Sequence, residues 1–471
     1  MRYPPKKISY GLKINNSSGQ IGTVIIFLFL AFFCIFIGKF AVLQSPILVL
    51  GLVGGLIISL ITLVNTDLAL IILIFSMFLS PEIPIAQVPE RAVVIRIDDI
   101  LLIFMFFAWF AKMAINKQLG LLKNTPINRY LIIYILICIV STALSIFFRI
   151  GYARFSNAFF YILKYTEYFL IFFLVSNNLR SSRQAKIFTY FLILVCFIVC
   201  IYGYYQIKMG LGRVSAPFEG EKTEPNTLAG YLLIMFGLIG GLLLSNQSAI
   251  SKFILGGLYL FMIPVFLFTL SRGGYLGFLA LFASQIILAK RKKLFLLFIL
   301  IVAILIVPRI LPLRVAERVK STFVPGIQYE LLGQKVTLDE SAAARVGTWG
   351  WVLTDWQKSP LFGYGITGLG FIDGQYVHVI GELGLVGFLV FLWLIFSLFI
   401  NTLKIYRSSE DTYIQGISLG FLLGFIGILI QGFSANTFII VRIMEPFWFL
   451  AAMVSVLPEL AVSRPSELEG T

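Results

Sequence analysis

The chain of 471 residues is 59% hydrophobic, only 13% charged, and carries a formal net charge of +15. This apolar share is far above that of a soluble domain, so the composition excludes a soluble globular protein and predicts an integral membrane protein. The basic residues are scattered between apolar runs, which argues against nucleic-acid binding.

Apolar runs of roughly twenty residues, long enough to cross a bilayer, follow one another along the chain. The first, from Ile21, has no small-residue cleavage site behind it and is interpreted as a retained helix. The run at Asp67 is short, and one alternative joins it to its predecessor as a single span plus a re-entrant piece. The predicted spans begin near Ile21, Pro46, Asp67, Asp98, Asn128, Asn157, Lys186, Asn226, Lys252, Gly273, Leu294, Tyr376, Tyr413 and Phe438.

These runs predict an all-α polytopic membrane protein with about 14 (12 to 14) transmembrane helices and one large loop that contains amphipathic helices. The helices occupy residues 21–312 and 376–457, and the loop occupies residues 313–375. Residues 1–20 and 458–471 form the terminal segments, and the latter is expected to be a frayed end.

Basic residues in short loops predict the orientation of the helices. Nineteen lie on the side of the N-terminus and nine on the other side, and the KRKK sequence at 290–293 is the strongest single indicator. We therefore expect both termini to be cytoplasmic, in a cytoplasmic (inner) membrane, with residues 313–375 on its outer face. Membrane lipids are then direct partners of the chain.

The sequence DESAAARVGTWGWVLTDWQKSP in the large loop predicts a helix. Asp339 or Ser341 can cap its start, and Pro360 ends it. Cationic and aromatic side chains recur at helical spacing along it, as expected of a helix in a membrane interface. The stripe consists of Arg345, Trp349, Val352 and Trp356.

Several ionisable residues fall at membrane depth, where an isolated charge is costly. Lys164 with Glu167, and Arg442 with Glu445, either line a shared polar cavity or neutralise each other as i, i+3 pairs. For Arg272 a functional role is favoured, because the following two glycines are expected to leave its guanidinium uncrowded.

Three motifs resemble the O-antigen ligase and Wzy polymerase superfamily. They are TLSRGGYLGFL, RVGTWGWVLTDWQKSPLFGYG and DGQYVHVIGELGLVGFL, with weaker similarity in RIDDILL, LKYTEYFLIFFL and EPNTLAGYL. The resemblance implies a metal-independent, inverting membrane glycosyltransferase without a cofactor. Its donor would be a glycan on polyprenyl (undecaprenyl) diphosphate. Its acceptor would be a saccharide such as lipid A core, a lipid-linked repeat or a cell-wall glycan.

The resemblance also implies roles for individual residues. Arg272 and Arg345 match the arginines that contact the donor diphosphate. The planar guanidinium suits that task because it binds phosphate oxygens bidentately and stays charged at any working pH. The remaining substrate-binding residues are predicted to be Tyr376, Glu382, Asn226 and Arg213.

The motif does not identify the general base, because the sequence departs from the family pattern. Asp373 and Gly374 stand where the ligases have His-Asn, and His378, the chain's single histidine, follows five residues after Asp373. Three alternatives remain: Asp373 replaces the base, His378 supplies it from a shifted position, or a polymerase-type relative uses another group. A base must first reach the acceptor hydroxyl, and sequence does not supply that geometry.

Metal binding is not expected, since the outer loop has no DxD motif and no carboxylate cluster. Ligase and polymerase activity remain alternatives within the enzyme class. A small-anion transporter is the alternative from a different class, although internal repeats and broken helices typical of transporters are not evident.

Overall fold

The computed structural model describes residues 46–88, 91–115, 123–151, 153, 155–219, 223–245, 248–290, 292–321, 327–331, 334–338, 340–370 and 372–462. Helices dominate these residues. The helices are α1 (Pro46–Val64), α2 (Thr66–Leu79), α3 (Ile97–Ile115), α4 (Asn128–Phe148), α5 (Phe155–Asn178), α6 (Ser182–Lys208), α7 (Pro225–Leu244), α8 (Ala249–Phe268), α9 (Arg272–Leu288), α10 (Lys293–Ile310), α11 (Leu313–Lys320), α12 (Glu340–Trp356), α13 (Gln375–Ser408), α14 (Thr412–Gln431) and α15 (Val441–Val462).

Eight described helices are long and apolar enough to cross a membrane: α4 to α8 and α13 to α15. Shorter apolar helices of 10 to 17 residues lie within α1, α2, α9 and α10. A helical protein with many membrane-spanning helices is therefore confirmed, whereas the predicted count of about fourteen is not. The predicted first span at Ile21 lies outside the described residues.

Two short antiparallel hairpins interrupt the helices and were not predicted. Strand β1 (Glu82–Val88) pairs with β2 (Arg91–Arg96), and β3 (Ile327–Leu331) pairs with β4 (Gln334–Leu338). Strand β2, with the sequence RAVVIR, is rich in β-branched residues, which favour a pleated strand. The first hairpin leads directly into α3, and the second lies between α11 and α12.

The predicted boundaries are mostly close to the observed ones. Helix α12 agrees with the helix predicted in the large loop, although its proposed cap Asp339 lies outside the described residues. Helix α13 begins one residue before the predicted Tyr376. Helix α15 continues through Pro458 to Val462, so it includes the first residues of the predicted terminal segment 458–471. Helices α1 and α2 are separate, with Asn65 capping α2.

Helices α7 and α14 pack closely against each other through glycines. A Cβ atom added at Gly237 would lie 2.2 Å from the Gly424 backbone nitrogen, and one at Gly241 would lie 2.2 Å from that of Gly420. Small residues let helix backbones approach this closely, and the resulting van der Waals contact is a main source of helix association in membranes.

Helix α13 is broken at Gly384, whose φ of 66° and ψ of −168° are not helical. The turns formed by residues 357–370 pack into this break. Leu385 N donates to the Pro360 carbonyl at 2.8 Å, and Gly365 N donates to the Glu382 carbonyl at 2.8 Å. Two further backbone bonds, Val386 N to Leu361 O and Tyr364 N to Gly381 O, are both 3.1 Å. The chain segment after α12 therefore satisfies the backbone groups that the break exposes.

Candidate functional site

Four arginines from separate segments contribute positive charge at the end of the bundle that carries α11 and α12. Burial lowers the pKa of Arg213, and the positive charges of three other arginines lower it further. Those three are Arg318, Arg345 and Arg272. The region therefore has a positive potential, which attracts anions. We call these four residues the arginine cluster.

Two members of the cluster lie at the junction of α8 and α9. The Arg213 guanidinium donates from Nε to the Thr269 carbonyl at 3.0 Å and from Nη2 to the Leu270 carbonyl at 3.4 Å. Arg272 is the first residue of α9 and is half-buried. Since backbone N–H groups at a helix start favour anions, the position of Arg272 adds to the positive potential.

The start of α9 is anchored by the predicted residue Asn226. Ser271 Oγ accepts from Gly274 N at 3.1 Å and donates to Asn226 Oδ1 at 2.8 Å. The Asn226 carbonyl accepts in turn from Gln431 Nε2 at 2.9 Å. Asn226 thus holds the helix that carries Arg272 against α14.

Gly273 packs closely against the segment that follows α14. A Cβ atom at Gly273 would lie 1.8 Å from Ser434 Oγ. The glycine therefore serves the packing of α9 against this segment, and the expectation that it leaves Arg272 uncrowded stays a prediction.

Arg345 and Asp373, two of the predicted site residues, lie close together. Arg345 Nε lies 3.7 Å from Asp373 Oδ2, with 24% and 36% of the two side chains exposed. Trp349, one turn after Arg345 on α12, donates from Nε1 to the Asp373 carbonyl at 2.7 Å. Asp373 is thus fixed through its backbone, and its carboxylate remains accessible beside an arginine.

His378 and Glu382 form a buried pair one helical turn apart on α13. His378 Nε2 lies 2.9 Å from Glu382 Oε2, and only 9% and 3% of their side chains are exposed. Glu382 Oε1 accepts from Thr367 N at 2.7 Å, so the docked turns fix this carboxylate. With a neutral imidazole and an ionised carboxylate, Nε2 would donate to Glu382 and Nδ1 would be the acceptor atom. Nδ1 is buried and has no hydrogen-bond partner among the described residues.

Tyr376, predicted to bind substrate, has its hydroxyl engaged within the protein. The hydroxyl donates to the Leu429 carbonyl at 2.7 Å, and the ring packs on Phe433 with centroids 4.6 Å apart. These contacts join the start of α13 to the end of α14. The structure therefore shows Tyr376 as a residue that positions the start of α13.

A second group of ionisable residues is buried where α3, α5 and α15 meet. Arg96 binds Asp98 through two nitrogens and lies 2.8 Å from Glu445 Oε2. Lys164 pairs with Asp99 and lies 3.2 Å from Glu167 Oε2. The i, i+3 pairing of Lys164 with Glu167 is confirmed.

The other predicted pairing is wrong: Arg442 lies 3.2 Å from Glu82 Oε1, whereas Glu445 contacts Arg96. The Arg442 guanidinium also donates to the Phe78 and Pro217 carbonyls, both at 2.8 Å. A buried arginine surrounded by carbonyls in this way ties loops to the helix ends, because its donors would otherwise be unsatisfied.

Oxygens of Asp98, Glu167 and Glu445 lie within 4.8 Å of one another, which makes these the described residues best placed to share a cation. Both Asp98 oxygens, however, accept hydrogen bonds from Arg96. The guanidinium thus already occupies the carboxylate that a metal would need, and the group fits an ion-pair network better than a metal centre.

The predicted residues Arg213, Arg272 and Arg345 belong to the arginine cluster, together with one residue that the sequence analysis missed. Arg318 joins the cluster from α11, an eight-residue helix with the sequence LRVAERVK. The pronounced amphipathic pattern of that sequence was the available signal. His378 and Glu382 belong to a separate buried pair. No match to this chain is found among models of known protein families, and none is found among curated proteins.

Proposed function

We propose that this chain is a membrane glycosyltransferase of the O-antigen ligase and polymerase type. It would transfer a glycan from polyprenyl (undecaprenyl) diphosphate to an acceptor saccharide at the outer face of the cytoplasmic membrane. The arginine cluster is the observation that carries the proposal. A diphosphate presents several charged oxygens close together, and the positive charge of four arginines from four segments would complement it. The three motifs that resemble the superfamily supply the reaction type.

The proposed reaction is an inverting displacement. The acceptor hydroxyl attacks the anomeric carbon of the donor, the bond from that carbon to the diphosphate oxygen breaks, and the diphosphate departs with the electron pair. Arg272 and Arg345 bind the diphosphate oxygens and stabilise the charge that develops on them, a contribution that is often the largest in such transfers. Arg213 and Arg318 extend the same positive surface.

A base must take the proton of the attacking hydroxyl, and two candidates remain. Asp373 is the more exposed and lies beside Arg345, next to the proposed diphosphate position. His378 is nearly buried, but its pairing with Glu382 leaves Nδ1 as a proton acceptor. Accessibility therefore favours Asp373, whereas the histidine–carboxylate arrangement favours His378.

Binding of undecaprenyl diphosphate to the purified protein tests the role of the arginine cluster. Arg272→Lys keeps the charge but loses the planar fork, and we expect it to weaken binding by about ten- to a hundredfold, the effect of losing one charge-assisted hydrogen bond. Arg309→Ala is the matched control, because this exposed arginine contacts the Leu305 carbonyl of its own helix. Equal affinity in the wild type and the Arg272→Lys protein would contradict the proposed clamp.

The surface glycans of cells that lack the protein distinguish the possible activities. Complete absence of transferred glycan would indicate a ligase. Loss of long chains, with single repeats still on the acceptor, would indicate a polymerase. An unchanged profile would exclude both, and the arginine cluster would then be better explained by transport of a small anion.

A further inference from the structure

A groove of about 640 Å³ lies between the start of α4 and the second half of α13. It is at the opposite end of the bundle from the arginine cluster. His378 precedes the break in α13 at Gly384, and Lys404 lies 19 residues after Leu385, about 29 Å along the continuous part of the helix at a rise of 1.5 Å per residue. That separation is of the order of a bilayer thickness. The groove therefore lies at the other membrane face from the proposed catalytic site.

The polar part of the groove offers hydrogen-bond donors and positive charge. Arg129 stacks over the Tyr130 ring, with its Cζ 4.6 Å from the ring centroid, and Lys404 is exposed. Asn401 Nδ2 is buried and has no hydrogen-bond partner among the described residues. None of the twelve described residues that line the groove is acidic. Such a surface suits an anion that accepts several hydrogen bonds.

The rest of the groove is apolar and aromatic. Along α13, the residues that line the groove change from aromatic to polar and basic. Trp393 packs edge-on against Tyr130 with centroids 4.9 Å apart, and 48% of Trp393 is exposed. Phe396, one turn further along, is 63% exposed. Asn401 and Lys404 follow towards the end of the helix. Aromatic residues next to basic ones are typical of the level at which lipid head groups meet the acyl chains.

We propose that this groove is a binding site for an anionic phospholipid. The phosphate lies beside Arg129 and Lys404 and accepts a hydrogen bond from the Asn401 amide, and an acyl chain lies along Trp393 and Phe396. A free phosphate would use only the polar part and would leave the aromatic wall uncovered, so a lipid fits the full length of the groove. Basic pockets between helices at the cytoplasmic face are a recognised mode of lipid binding.

A second groove at the same end of the bundle provides a matched control. It has a volume of about 410 Å³ and is lined by Lys252 and Lys292, but also by Glu410. Its third lysine, Lys290, is within 3.4 Å of the Tyr406 carbonyl. Replacing Lys252 and Lys292 by alanine removes the same number of charges from the same face, without changing the proposed lipid site.

Native mass spectrometry of the full-length protein, titrated with phosphatidylglycerol and separately with phosphatidylcholine, tests the proposal. We expect phosphatidylglycerol to bind more tightly than phosphatidylcholine. Its affinity should fall about fivefold in Lys404→Ala and about thirtyfold in the double variant Arg129→Ala/Lys404→Ala, because each basic residue near a membrane surface contributes about this factor. The single variant changes an exposed side chain, so its result does not depend on how the double variant folds.

Three outcomes would overturn the assignment. The first is equal affinity for phosphatidylglycerol in wild-type and Lys404→Ala protein. The second is an equal loss in the Lys252→Ala/Lys292→Ala control, which would indicate general attraction to the membrane surface. The third is displacement of phosphatidylglycerol by inorganic phosphate at equal concentration, which would identify a soluble-anion site.

Discussion

Gly384→Ala should release the turns that dock into α13 while leaving the membrane helices in place. A Cβ atom at this position would lie 2.4 Å from the carbonyl oxygen of Leu361 and 2.6 Å from the nitrogen of Gly363. Both contacts are with backbone atoms, so no rotation of a side chain can relieve them. The backbone conformation adds to the conflict, because a φ of 66° with a ψ of −168° is adopted almost only by glycine.

The size of the effect follows from these contacts. A non-glycine residue in this conformation costs about 1–3 kcal/mol. The four backbone hydrogen bonds across the break favour docking in both proteins, so only the strain shifts the equilibrium. Relief of about 1–3 kcal/mol of strain on undocking raises the population of the undocked turns by about five- to a hundred-and-fiftyfold.

Hydrogen exchange followed by mass spectrometry measures this directly. Amides in residues 360–370 and at the α13 break should exchange at least about fivefold faster in Gly384→Ala. Transfer activity should also fall, because undocking removes the hydrogen bond from Thr367 N to Glu382 and so loosens the carboxylate that holds His378. Gly256→Ala in α8 is the control, since a Cβ atom there meets nothing within 4 Å and alanine favours a helix by up to about 1 kcal/mol. Wild-type exchange rates in Gly384→Ala would refute the reasoning.

Three further predictions concern the chemistry and the pH dependence. Transfer by the purified protein should persist in excess EDTA, because arginines supply the charge that a metal would otherwise provide, and a rate restored only by magnesium or manganese would contradict this. In the same assay Asp373→Asn should lose more activity than His378→Gln if Asp373 is the base, and the reverse order would assign that role to His378. Burial raises the pKa of Glu219, in the loop between α6 and α7, to about 8 from the usual 4.5, despite the hydrogen bond from Glu224 N. The folded protein therefore binds this proton more tightly than the unfolded chain, so the stability that Glu219 contributes is fully present below pH 4.5 and is lost as the pH rises to about 8. Glu219→Gln should remove that part of the decrease in melting temperature, and an unchanged pH profile would argue against it.

Local signals in the sequence predicted the individual helices well. Periodicity and a terminating proline located α12, and a long apolar run after a glycine-rich segment located the start of α13. The break at Gly384 was not predicted, because the apolar pattern continues through it. Only the contact with the turns of residues 360–365 makes that conformation favourable, and a contact between two segments leaves no periodic trace in either one.

The candidate site, too, was predicted where the signal was local and missed where it depended on contacts between segments. Arg272 and Arg345 were recognisable by their motifs, but Arg318 lies in an amphipathic helix that could have faced any part of the membrane surface. The partner of Arg442 was wrong for a related reason. Spacing along one helix favoured Glu445, whereas the fold brings Glu82 to within 3.2 Å of the guanidinium. Proximity in sequence identifies pairs within a helix but not pairs between elements.

The arginine cluster concentrates like charges, and the surrounding backbone explains how the fold accommodates them. Arg213 donates to carbonyls at the end of α8, where the helix dipole is negative and a cation is stabilised. Arg272 lies at the start of α9, where the dipole is positive and disfavours a cation. The two positions have opposite consequences: the first anchors a charge to the protein, and the second raises the potential that an anion experiences.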